Sequence, residues 1–520
     1  MTFGAARRSI AFLPAILLAM LAAGFIAPKP AAATIKYRVS LAHPEQHQFR
    51  VTMAIPVSDS DKDVIVQMPA WNTLYQVRDF AYRIRDVHEV EAANAPARAL
   101  LPLKLDKQTW RIDRGGPAAN RPREVKLTYS IFWDDPGPFN SQLNVHHAFV
   151  NLAEILMYVP SRRAEDTEIA FDDLPAGWSL AAELAGGHEP NSFAAPAYDT
   201  LVDAPVEAGK LDEFEFDSGG GHFRVVLDAG NPNRARLQSA FERITAYQIQ
   251  LMGGAPFHEF TFFVHIGPDA SIGEGGMEHM NSTAIAGPTL ESASALAAHE
   301  FFHVWNVKRI RPQNLDPVDY TKEQYTRSLW FAEGFTDAYT SYTLSRTGLW
   351  SKKQFYDDLA DQIERLQARP AHTWQSAEES SLDAWFEKYD GYNVPDRSIS
   401  YYDKGQVLAV LLDLEIRDAT DNRKSLDDVF RLMNDRFAKQ GKFYDERIDI
   451  RAAVEQVAGK SFEDFFRRYV SGVDELPYNQ ILVIAGLELK TESGYSISEL
   501  GHATDRQRRI REGLLRGSTD

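Results

Sequence analysis

The run His299-Glu300-Phe301-Phe302-His303 holds two imidazoles four positions apart, with a carboxylate directly after the first. It lies in an Ala-rich stretch, Ser292 to Asn306, whose composition predicts a helix. Residues four apart share one helix face, so the two imidazoles can converge on a single ion. Glu300 points about 100° away, toward a water beside the ion rather than the ion itself. Imidazole nitrogen suits zinc, and three protein ligands with one open position is the catalytic arrangement.

A third ligand is expected downstream, in Leu329-Trp330-Phe331-Ala332-Glu333-Gly334-Phe335-Thr336-Asp337-Ala338-Tyr339. An ionised carboxylate in so apolar a segment needs a partner, and a metal supplies one. Glu333 is therefore the candidate third ligand. Asp337, one helical turn later on the same face, could hold the other nitrogen of a ligand histidine. Glu323 is the rival third ligand, but it sits in the polar run Thr321-Lys322-Glu323-Gln324.

The elements that must position these groups sit in a chain of 520 residues, 44% hydrophobic and 25% charged, with no cysteine. That excludes a disulfide scaffold, a thiolate zinc site and a cysteine nucleophile. The formal charge of −17 argues against a nucleic-acid partner, which would need a basic footprint. Residues 1–33 read as a cleaved signal peptide. Arg7 and Arg8 precede the apolar run Ile10 to Ala27, and Ala31-Ala32-Ala33 supplies small residues for cleavage. Their removal takes three cations and no acid, deepening the charge to −20. No stable membrane anchor is expected after cleavage, so the mature protein should be exported, to a bacterial periplasm or beyond.

The pattern predicts a multidomain α+β chain. Residues 34–217 are expected to be β-rich, because Ile35, Tyr37, Val39 and Leu41 alternate with polar residues, as do Val125, Leu127, Tyr129 and Ile131. Ser218-Gly219-Gly220-Gly221 reads as a hinge or linker. Residues 222–350 should carry the catalytic site and 351–475 a helical domain. The segment 476–520 reads as a short tail, with a strand between Ile481 and Leu489 and a solvated Arg-rich end.

With these residues in view, the chain resembles the glycyl aminopeptidase family of gluzincin zinc metallopeptidases. The resemblance rests on HEFFHVWNVKRIRP, His299 to Pro312, together with LWFAEGFT, and covers most of the mature chain. It implies a thermolysin-like catalytic domain over 222–350, one zinc held by His299, His303 and Glu333, and Glu300 as general base. Gly275-Gly276-Met277-Glu278-His279 resembles the family's exopeptidase motif, which implies Glu278 as anchor for the substrate's free amine, with His279 structural. Tyr402-Asp403-Lys404-Gly405 resembles the motif whose tyrosine steadies the oxyanion, with Tyr401 as an adjacent alternative donor.

The implied activity is hydrolysis of the first peptide bond of peptides with a free N-terminus and a small first residue, Gly or Ala. Many members carry a C-terminal PDZ domain; the 45 residues after position 475 are too few for a complete one. Two other readings fit parts of the pattern. A zinc endopeptidase would follow if Glu278 points away from the cleft. An inactive exported peptide-binding protein would have no need of Glu300 between the two histidines.

Overall fold

The structure is a computed structural model, and it describes residue 1 and residues 34–90, 101–115, 122–229, 233–267 and 273–517. The expected signal peptide lies outside the described residues.

The N-terminal domain forms where the alternating pattern predicts strands. β1 (Ile35–Ser40) pairs antiparallel with β2 (Gln48–Pro56), which pairs antiparallel with β3 (Glu124–Phe132). These belong to a seven-stranded sheet. β4 (His147–Val150), β5 (Thr167–Asp172) and β6 (Val206–Gly209) follow in the chain. β5 pairs parallel with β1, while β4 and β6 pair in a second sheet of four strands. Tyr37, Val39, Val51, Met53, Leu127 and Tyr129 are buried in the core between the sheets, together with Ala148, Val150, Val206 and Ala208. Burying each of the larger side chains contributes about 1.5–3 kcal/mol.

The catalytic part begins with β7 (Asp212–Ser218) and β8 (Gly221–Ala229), an antiparallel hairpin. The Ser218–Gly221 segment is thus a turn inside one sheet, not a linker. Gly219 (φ 58°) and Gly220 (φ 88°) supply the left-handed backbone a two-residue hairpin turn requires. The domain junction falls near residue 210 instead. β9 (Glu259–Ile266), β10 (Gly275–Glu278) and β11 (Ser282–Gly287) complete a five-stranded sheet in the order β7-β8-β9-β11-β10. β10 is antiparallel and lies at the edge.

α1 (Arg234–Met252) and α2 (Leu290–Phe302) pack on this sheet, α3 (Phe335–Arg346) packs on α2, and α4 (Tyr401–Ala419) packs on α3. α2 stops at Phe302, four residues short of the predicted end. One hydrophobic core runs from Phe216 to Leu515, so the residues of the expected helical domain 351–475 share the catalytic core rather than owning one.

The expected tail is folded. Leu487–Lys490 is a strand, but Tyr478–Leu482 is helical, so the predicted strand is confined to its last residues. Residues Asp505–Arg516 form α5, with Ile510 and Leu514 one turn apart and buried in the core. Its arginines find acids: Arg506 Nη1 lies 2.6 Å from Asp418 Oδ1 and Arg511 Nη2 3.1 Å from Glu499 Oε2. The charge density hid the i, i+4 apolar pair that docks the helix. Among the described residues no helix is long and apolar enough to cross a membrane.

Candidate metal and peptidase site

α2 starts at a reciprocal cap. The Ser292 N–H donates to Thr289 Oγ1 (3.1 Å), and the Thr289 N–H donates to Ser292 Oγ (3.0 Å). Near its far end, His299 Nε2 and His303 Nε2 stand 3.0 Å apart. Glu333 Oε2 lies 3.2 Å from His303 Nε2 and 3.6 Å from His299 Nε2.

The other ring nitrogens explain why these three atoms converge. His299 Nδ1 is 2.8 Å from Asp337 Oδ1, and His303 Nδ1 is 2.5 Å from the Asn306 carbonyl oxygen. A carboxylate and a carbonyl can only accept, so both Nδ1 atoms donate and a neutral ring turns the Nε2 lone pair inward. Two lone pairs and a carboxylate oxygen within 3.6 Å repel unless a cation stands between them. The donor set therefore fits a metal ion. Burial opposes the charge on Glu333, so positive charge beside it, which a metal ion in the cluster would supply, has to hold the carboxyl ionised. Glu323 is not among the clustered ligand groups of the described residues.

Glu333 sits in a π-helical turn, Trp330–Gly334, that runs directly into α3. A π turn widens the helix and frees carbonyls. Asn306 Nδ2 reaches those of Phe331 (2.9 Å) and Ala332 (3.1 Å). Asn306 thus ties the end of the histidine helix to the third ligand with both its amide and its carbonyl. Sequence reasoning missed it, because a single asparagine 27 positions before Glu333 carries no spacing signal.

Glu300 is buried, and its Oε2 has no hydrogen-bond partner among the described residues. Burial pushes its carboxyl up to about 7. Its neighbour is the edge strand. A Cβ on Gly276 would stand 2.5 Å from Glu300 Cγ, and one on Gly275 (φ 129°) 2.8 Å from the Phe139 ring. Both glycines are required by close approach. Glu278 follows on β10, and its carboxylate, that of Glu300 and an imidazole nitrogen of His303 lie within 4.8 Å of one another.

Tyr402 opens α4, and its ring stacks on that of His299 at 6.3 Å. Tyr402 is 36% exposed and lines a cleft of about 450 Å³ with Phe139, Gly276, His299, Glu300 and Asp337. Tyr401 is 4% exposed and belongs to the core.

The N-terminal domain reaches the same cleft through Phe139 and packs beside it. Asn72 Nδ2 lies 4.0 Å from Met277 Sδ, and Tyr75 packs edge-on against Trp385 at 6.4 Å. Burial first, then the charges of Glu333 and Glu278, push the Tyr75 phenol well above its ordinary value. His279 is buried beside Asp203, at 3.7 Å, away from the ligand cluster.

This fold and site define a metallopeptidase-type protein, and comparison with known proteins agrees. The model of the M61 glycyl aminopeptidase matches residues 292–408, and that of the Peptidase M61 N-terminal domain matches 36–210. The chain belongs to the M61 glycyl aminopeptidase family, and is a peptidase of mixed α+β fold.

Among solved structures, it is similar to an aminopeptidase N family protein from Idiomarina loihiensis. The TM-score is 0.81 and the identity 25%, over 91% of this chain and 82% of that one. A zinc metallopeptidase of the M1 class from Deinococcus radiodurans, bound to a Tyr-Ser-Ala substrate, shares the fold at TM-score 0.50 and 14% identity. That match covers 86% of this chain and 95% of the other. No curated protein sequence matches the chain.

Proposed function

We propose that the protein is an exported zinc aminopeptidase that removes small first residues, Gly or Ala, from peptides with a free N-terminus. The observation that carries the aminopeptidase reading is the meeting of Glu278, Glu300 and His303 within 4.8 Å. A carboxylate fixed at that distance pairs with a terminal ammonium and leaves room for one residue before the scissile bond.

His299, His303 and Glu333 would hold the zinc, which would supply Lewis-acid chemistry, polarising a carbonyl and making water more acidic. Glu300 takes a proton from water as its oxygen bonds to the carbonyl carbon. Tyr402 donates its hydroxyl hydrogen to the oxygen on which charge develops. As the C–N bond breaks, Glu300 returns the proton to the leaving nitrogen. Gly275 and Gly276 keep the edge strand close enough for Glu278 to hold the amine without displacing Glu300. Asp337 keeps the His299 ring in the tautomer that faces the metal. Export rests on the signal-like residues 1–33, which point to a periplasmic location.

The test compares hydrolysis of a glycine-initiated chromogenic amide with that of its N-acetylated twin. Cleavage of the free amine alone supports the aminopeptidase. Equal cleavage of both makes the protein an endopeptidase, and cleavage of neither by zinc-loaded protein overturns the peptidase site.

A further inference from the structure

Away from the cleft, four ligand-type side chains meet where the two domains join. The period of two sends Ala148 and Val150 of β4 into the N-terminal core, so His147 and Phe149 face the other way. Phe149 packs on Val226 of β8, Phe263 of β9 and Ala284 of β11. The same alternation places His147 and Glu207, opposite Asp228 of β8 and its cross-strand partner His265 of β9.

We propose that His147, His265 and Asp228, whose ligand atoms lie within 4.8 Å of one another, form a second site for a divalent transition-metal ion of the zinc class, with the Glu207 carboxylate bridging the two imidazoles. His147 Nδ1 lies 2.8 Å from Glu207 Oε1 and 3.5 Å from Asp228 Oδ2, and His265 Nε2 lies 3.0 Å from Glu207 Oε2. The separations in the catalytic triad of ligands are 3.0, 3.2 and 3.6 Å. Ligands about 2.0–2.1 Å from a tetrahedral ion stand about 3.3 Å apart, which both clusters bracket. Two imidazoles with two carboxylates also neutralise a dication.

Hydrogen-bond direction supports the site independently of distance. Gln142 Nε2 donates to Asp134 Oδ1 (3.0 Å), which fixes the amide with Oε1 toward His147 Nε2, 3.0 Å away. An amide oxygen can only accept, so His147 Nε2 carries the hydrogen. A neutral His147 ring then aims the bare lone pair of Nδ1 at two carboxylates, which are acceptors as well. Only a second proton or a metal ion resolves that contact. Oriented imidazole with a carbonyl behind it is the arrangement of a ligating histidine. Glu207 is 1% exposed, so its charge has to be met within the cluster. A cleft of about 420 Å³, lined by Gly137, His146, His147, Asp228 and His265, opens the site to solvent.

The experiment measures bound metal, not turnover, in a full-length variant that lacks the catalytic ligands, His299→Ala with Glu333→Ala. Desalted protein is analysed for zinc by mass spectrometry, and cobalt-loaded protein for its visible ligand-field absorption. The wild type should carry two equivalents and the double variant one, with a cobalt band that disappears when His265→Gln is added. Asp228→Asn, at a half-exposed side chain, should weaken zinc binding at the remaining site about tenfold or more. A double variant with wild-type circular dichroism and no zinc or cobalt band would overturn the proposal, leaving His147 as an imidazolium. So would zinc affinity unchanged by Asp228→Asn.

Discussion

Gly334 and Gly405 touch backbone to backbone: a Cβ on Gly334 would stand 2.5 Å from the Gly405 Cα. Seen from the other side, a Cβ on Gly405 would collide with the Trp330 carbonyl oxygen. The π turn that carries Glu333 and the first turn of α4, which carries Tyr402, are held together by this contact. It sets the distance between the third ligand and the hydroxyl donor. Gly405→Ala should push the two apart and lower kcat about a hundredfold, since displacement by about 1 Å costs that much. Steady-state kinetics with zinc content checks it, and wild-type kcat would remove this contact from the account.

Glu300→Gln keeps the shape of the side chain but cannot take a proton. Zinc content should be unchanged, while kcat drops about a hundred- to ten-thousandfold. Retained turnover would refute Glu300 as the base.

Glu333→Ala removes a ligand from between two lone-pair-bearing imidazoles. The catalytic zinc should be lost, which a metal assay in the presence of a mild chelator reads directly. Full retention of that zinc would place the third ligand elsewhere.

Glu278→Ala should lower kcat/KM about ten- to a hundredfold for the free-amine substrate, the worth of one charge-assisted contact. The N-acetylated twin should be unaffected. Unchanged discrimination between the two substrates would remove Glu278 as the amine anchor.

Asp203 joins the domains, accepting from Lys308 Nζ at 2.7 Å and from the Met280 N–H at 2.8 Å. Burial opposes its charge, but Lys308 and His279 hold the carboxyl well below its ordinary value. A depressed carboxyl stabilises the fold above its unfolded pKa of 3.8, and that stability is lost as pH falls through the folded value. Asp203→Asn, which strands Lys308, should cost about 3–5 kcal/mol near neutrality. Thermal melts from neutral pH down to about pH 3 should show the gap to wild type narrowing in acid. A gap that is constant with pH would show that the carboxylate's charge is not what stabilises the junction.

The features legible in the sequence are those set by short-range geometry. The i, i+4 spacing of His299, in α2, and His303, the helical residue that caps it, puts both rings on one face whatever surrounds them. The i, i+4 spacing of Glu333 and Asp337 likewise sets the second pair. Alternation at Tyr37, Val39, Val51 and Met53 fixed which face of each N-terminal strand is buried.

The tertiary structure decided what depends on distant segments meeting. That Gly276 must lack a side chain because Glu300 fills its place is a contact between a sheet edge and a helix. Asn306 clamping the π turn, Asp203 pairing with Lys308, and His147 facing His265 across the domain junction each join separate elements. Misreading Ser218–Gly221 and α5 has the same origin. Glycine marks a tight turn and a linker alike, and arginine covers a buried helix edge as readily as it solvates a tail. Local pattern fixes which side chains can share a face; only packing decides which faces meet.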